Sequence, residues 1–196
     1  ARAFDGRTWS ALSEVFFFSE VPQPPQPGDI LITEIQYNPD GPDEYEFIEI
    51  LNRTTRALDL SNHRFADAIT FTFPDQTHLA GGGIAVIVEN VDAFAERYQD
   101  ETSPYFHPNI RVIGQWSGRL SDAGERIQLW GANSTLITEV HFGDDNGWPE
   151  LADGLGSSLE LSNPLDLPED FMALQSLINQ PSSWSASSLF HGSPGQ

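Results

Sequence analysis

Apolar and polar positions alternate in short runs along most of the chain, the period-two signature of strands with one buried face. The runs predict strands over Ile30–Tyr37, Tyr45–Leu51, Ala57–Leu60, Ile69–Phe73, Gly83–Val88, Ile110–Ile113, Arg126–Trp130 and Leu136–Phe142, with a short late one over Leu159–Leu161. Turn residues separate them at roughly the 8–12-residue spacing of an all-β sandwich or barrel. Two segments follow a helical period instead. DAFAERY (Asp92–Tyr98) predicts a short helix capped by Asn90 or Asp92. Leu167–Asn179 predicts a second, amphipathic one, with Pro168 in its first turn and Phe171, Leu174, Leu177 and Ile178 on one face.

The pattern also divides the chain. Residues 1–20 hold two alternating runs around a DGRT turn and read as the closing hairpin of a preceding β-sandwich domain. VPQPPQPGD carries four prolines and predicts an extended linker over 21–28. The main domain then spans 29–196. With no initiating Met and a hairpin of this kind at its start, the chain reads as a fragment of a longer protein.

Composition narrows the function classes. An apolar fraction of 39%, with 13 Phe and 5 Trp, is enough to build a core. The net charge is −20, from 29 acids against 9 bases, all of them Arg. Such a surface repels phosphate, which argues against nucleic acids and anionic membranes as partners. The absence of Cys excludes disulfides, thiolate metal sites and Cys nucleophiles. No run has the length of a membrane span.

The densest candidate chemistry lies in YNPDGPDEYEFIEI (Tyr37–Ile50). In a strand Tyr45–Leu51, Tyr45, Phe47, Glu49 and Leu51 share one face, and Glu46, Ile48 and Ile50 the other. Glu46 and Glu49 therefore cannot pair as acid and base. Glu34, in phase with Ile30 and Ile32, is the available partner for Glu49, and the two together would suit a carboxylate-dependent hydrolase. The favoured reading makes Glu34 and Glu49 structural carboxylates held by an Arg or by backbone N–H groups, because charges are rarely buried unpaired. The turn NPDGPDE offers oxygen ligands for Ca²⁺ from Asn38, Asp40, Asp43 and Glu44. GDDNGW offers Asp144, Asp145 and Asn146, with Asp153 as a possible fourth. Turn chemistry explains both loops as well, and Asn146-Gly147 suits a hairpin turn. Trp116 and Trp148, with Trp130 and Trp184, would supply a sugar-stacking platform if exposed, although core packing is the commoner role. The five His have no metal-ligand spacing, no GxSxG elbow occurs, and Gly81–Gly83 precedes a strand rather than a helix.

ILITEIQYNP, EYEFIEILN, LDLSNHRF, FTFPDQTHLAGGGIAVIVENVDAFAERY, WSGRLSDAGERIQLW and ITEVHFGDDNGWP, followed by DGLGSSLELSNP, occur in an order that resembles the bacterial lamin tail domain over about residues 29–196. Residues 1–20 resemble the end of a fibronectin-type or chitobiase-type sandwich domain. The resemblance implies an immunoglobulin-like β-sandwich with one or two short helices in its connections. It further implies a non-catalytic module of a secreted or cell-surface multidomain protein, needing no cofactor and making protein or glycan contacts for anchoring or adhesion. Eukaryotic relatives also bind DNA, which nine Arg among 29 acids do not support. The alternatives are a calcium-dependent carbohydrate-binding module and, behind it, the hydrolase. Leu167–Asn179 is longer than the family's usual link and leaves the last strands unplaced.

Overall fold

Two sheets enclose one core in the computed structural model, which describes residues 21–196. The hairpin expected over residues 1–20 lies outside the described residues. In chain order the elements begin with β1 (Ile30–Gln36), β2 (Phe47–Asn52), β3 (Leu58–Asp59), β4 (Arg64–Asp67), β5 (Ile69–Thr72), β6 (His78–Leu79) and β7 (Ile84–Val88). Helix α1 (Val91–Tyr98) is followed by β8 (Val112–Gln115), β9 (Ser117–Gly118), β10 (Arg126–Trp130) and β11 (Leu136–His141). The last elements are β12 (Leu159–Leu161), α2 (Phe171–Ile178) and β13 (Trp184–Ala186). The first sheet has the order β13-β12-β1-β2-β7-β8 and the second β11-β10-β4-β5-β9, while β3 and β6 form a small ribbon. No helix among the described residues is long and apolar enough to cross a membrane.

Alternation sends Ile48 and Ile50 of β2 into the core, where they join Ile32 and Ile35 of β1, Phe65 of β4 and Ile127 and Leu129 of β10. Phe47 points to the opposite, outer face of the first sheet and meets Val86, Val88, Phe94 and Tyr98 in a second cluster. Its ring stands edge-on to Phe94 and Tyr98 at 5.8 and 5.9 Å. This cluster docks α1. β7 and β8 are parallel, so the chain must cross over between them, and α1 lies in that crossover. The Asn90 side chain caps it by accepting from the N–H groups of Asp92 and Ala93.

Several elements differ from their predicted bounds for local reasons. Tyr45 falls in a 3₁₀ turn, Asp43–Tyr45, closed by the Glu46 N–H donating to the Asp43 carbonyl, so β2 starts at Phe47. The second helix starts at Phe171 because Asp170, not Pro168, caps it by accepting from Ala173 N–H. Pro168 stays upstream, its carbonyl accepting from Arg53. Leu174 and Ile178 are buried, whereas Leu177 is exposed. The unpredicted strands β4, β6, β9 and β13 are two to four residues long, too short to show a period. The proline-rich segment lies along the domain: Gln23 forms a bridge with Leu58, and Gly28 N–H donates to the Ile137 carbonyl at 2.8 Å.

Candidate functional site

A β-bulge decides where the acidic side chains go. Across β1 and β2, Ile32 faces Ile50, Glu34 faces Glu49, and Ile35 faces Ile48, so Thr33 and Glu34 together occupy the place opposite Glu49. Ile32 and Ile35, three residues apart, thereby both reach the core. Glu34, in phase with Ile32 by simple count, is turned to the outer face. From its other side Glu160 of β12 faces Glu34. The result is a row, Glu160–Glu34–Glu49, across three neighbouring strands, where directly opposite Cβ atoms stand roughly 5 Å apart.

The segment His191–Gly195 roofs this row. Glu34 Oε1 accepts from Ser193 N–H at 2.8 Å and from the Ser158 hydroxyl at 2.5 Å. Glu49 accepts from Gly195 N–H at 2.7 Å and from the Thr33 hydroxyl at 2.6 Å. The Ser193 hydroxyl donates to Glu160 at 2.6 Å. Backbone N–H groups and hydroxyls, rather than an Arg, are therefore what Glu34 and Glu49 meet. A cavity of about 200 Å³ remains between the row, Leu51, Ile84 and Pro164. Only 2% of Glu34 and 4% of Glu49 is exposed. Burial, then the neighbouring Glu49 charge, pushes the Glu34 carboxyl up to about 8 from its ordinary 4.5. Burial likewise lifts Glu49 to about 7, against the hydrogen bonds from Thr33 and Gly195.

Glu46 points the other way, as alternation requires. It is fully buried beside Leu120, whose N–H donates to Oε2 at 3.0 Å, while Oε1 has no partner. Burial pushes this carboxyl up to about 8 as well.

The acidic turns are engaged locally. Asp43 pairs with Arg119 at 3.0 Å, Asp40 and Glu44 are exposed, and the Asp40 carbonyl accepts from Arg97, which stacks over the Tyr45 ring at 3.3 Å. In the second loop Asn146 and Gly147 take positive φ angles of 53° and 100°, and Asp145 accepts from the Asn146 amide at 2.6 Å. Asp153 accepts from Asn38 at 2.8 Å; burial, and after it the charges of Asp153 and Asp144, raise the Tyr37 hydroxyl. Among the described residues no group of three His, Cys, Asp or Glu side chains is arranged to hold a metal ion. Trp116 is buried in the core, so its ring faces are covered, and Trp148 is half-buried against Trp184 at 6.2 Å.

A different aromatic surface has no counterpart in the sequence reading. The loop after α1 (TSPYFHPN) and the late segment SSLFHGSP together wall a groove of about 330 Å³, lined by Tyr105, Phe106, His107, Leu189 and Phe190. Phe190 is 50% exposed, and Tyr105 and Phe106 are each 37% exposed. Tyr105 stands edge-on to His191 at 4.5 Å, and Phe190 lies 4.3 Å from the same ring. His191 takes a φ of 71°, costly for a residue with a Cβ. Its carbonyl accepts from the Tyr98 hydroxyl at 2.5 Å and its N–H donates to Gly156. The repeated Phe-His pair in two turn-rich segments (Phe106-His107 and Phe190-His191) was the only trace of this groove in the sequence.

The lamin tail domain family model matches residues 23–144, which takes in β1 to β11. No curated protein matches the chain. β12, α2 and β13 lie beyond the matched span, yet β12 and β13 extend the first sheet beside β1, and β12 supplies Glu160. With a match over more than half of its length and two sheets packed as a sandwich, the chain belongs to the lamin tail domain family of non-catalytic, immunoglobulin-like modules.

Proposed function

We propose that this domain is a non-catalytic protein-binding module of a secreted or cell-surface multidomain protein, anchoring its partner through the aromatic groove. The carrying observation is the juxtaposition of Tyr105, Phe106, Leu189 and Phe190, all exposed, around one cavity. Contiguous exposed aromatics are characteristic of interaction sites, and such rings supply most of the energy where they bind. The occupant that fits is an extended, proline-containing segment carrying basic residues. Aromatic-lined grooves accept the preformed proline helix at low entropic cost, and Pro104 and Pro194 complete the walls. Asp100 and Glu101, on the same loop as Tyr105, and the net charge of −20 favour a basic partner.

Titration of the domain with a proline- and arginine-rich peptide, followed by NMR, is the test. Shifts are expected at Pro104–His107 and Leu189–Pro194, and Phe106→Ala or Phe190→Ala should weaken binding by about 2 kcal/mol, some thirtyfold. Binding untouched by both changes would remove the groove as the site. A parallel titration with a chitin oligosaccharide, with and without millimolar Ca²⁺, addresses the carbohydrate-binding alternative. Calcium-dependent sugar binding, with a melting temperature raised by Ca²⁺ and lowered again by chelator, would replace the present reading.

A further inference from the structure

We propose that Glu34 and Glu49, with Glu160 beside them, form a proton-operated latch: protonated, the Glu34–Glu49 pair holds the segment His191–Gly195 closed, and ionised, it releases that segment together with the groove wall the segment builds. The consequence for binding rests on the groove being the binding site, whereas the latch itself does not.

The geometry makes one segment serve both places. Ser193 and Gly195 touch the carboxylates, and Phe190, Gly192 and Pro194 line the aromatic groove. Side chains and amides alternate between the two. The segment has few other ties: its remaining hydrogen bonds run from Tyr98 to the His191 carbonyl, from His191 to Gly156, from Gly192 to Leu189 and from Gln196 to the Ser193 carbonyl. Phe47 lies against Gly192, where a Cβ would come within 3.1 Å of the ring.

The groups facing the row come from every element around it. Glu49 stands on β2 and Glu160 on β12, and Tyr98 of α1 is raised mainly by burial and then by the Glu34 charge. His191 of the segment is held low by burial and then by Arg97 of α1. The row therefore sets two buried carboxyls beside a third, half-buried like charge. Three ionised carboxylates there repel one another and lack the water that an open segment would admit. Hydrogen bonds from Ser193 and Gly195 oppose this only in part, since burial still lifts Glu34 to about 8 and Glu49 to about 7. Released, both would return toward 4.5, so closing binds protons and is favoured at low pH. The open fraction should then rise on the order of 1,000-fold between pH 6 and pH 8.5.

Residue-resolved hydrogen exchange reads this directly. After correction for intrinsic exchange rates, protection of the Ser193 and Gly195 amides should fall on the order of 1,000-fold from pH 6 to pH 8.5 while Ile127–Leu129 of β10 keep theirs. Glu34→Gln with Glu49→Gln should leave the two amides protected at pH 8.5. Glu160→Gln, a change at a half-buried side chain, should move the opening to higher pH. Protection of Ser193 and Gly195 that ignores pH in the unmodified protein overturns the latch, as does loss shared equally by β10, which is global unfolding. Failure of the peptide to bind at either pH would instead count against the groove and leave the exchange data to judge the latch.

Discussion

At pH 5 the domain should melt at least about 10 °C higher than at pH 8.5. The sign follows from three buried carboxyls. Glu34 and Glu46 are pushed up to about 8 and Glu49 to about 7, each from 4.5. A folded state that holds protons more tightly than the unfolded chain has their full stabilisation below about pH 4.5 and loses it as pH rises through 7 and 8. One such carboxyl alone changes stability by about 3 kcal/mol over this range, and about 1 kcal/mol moves the melting point of a chain this size by about 3 °C. Calorimetry across the range checks it. Glu34→Gln with Glu49→Gln should remove much of the slope, because the amides imitate the protonated acids. That control separates the buried carboxyls from the general repulsion of a surface carrying −20. A melting temperature that climbs with pH would sink the assignment.

Phe47→Ala should cost about 3–5 kcal/mol, the usual range for truncating a fully buried Phe. Phe47 is 0% exposed and anchors the outer-face cluster through Phe94 and Tyr98. Its loss should leave α1 without its central contact and the Gly192 turn without its backing ring. Urea unfolding measures the total, and helical signal lost before the main transition would show α1 detaching first. By contrast Phe106→Ala, on a side chain 37% exposed, should cost less than about 1 kcal/mol, since little of its area is removed from water. A Phe47→Ala cost as small as that would mean the second cluster does not hold the helix.

The strands with steady alternation were legible in the sequence: β10 and β12 have the bounds their patterns predict, and Glu46 and Glu49 do face opposite sides. The pairing of Glu34 with Glu49 was legible, but the face that Glu34 takes was not. One extra residue in β1 shifts its face, and nothing in ILITEIQ marks a bulge, because Thr33 fits a strand as well as any residue. Glu160 could not be joined to the row without the pairing of β12 with β1, across more than 120 residues of chain. The groove is harder still. Tyr105 and Phe190 sit in segments without period, and only the turn around His191 and the docking of α1 bring their rings within 6.5 Å. The acidic turn that looked densest in chemistry supplies structural ties instead, Asp43 to Arg119 above all.

The affinity of one proline- and arginine-rich peptide at pH 6 and at pH 8.5, measured by calorimetry on the unmodified domain, tests the central claim most directly. Charge attraction alone would tighten binding at pH 8.5, where the protein is more negative and arginine keeps its charge. A groove whose wall is held by protonated Glu34 and Glu49 should do the opposite, with the dissociation constant rising more than about tenfold at pH 8.5. Equal or tighter binding at the higher pH would contradict it.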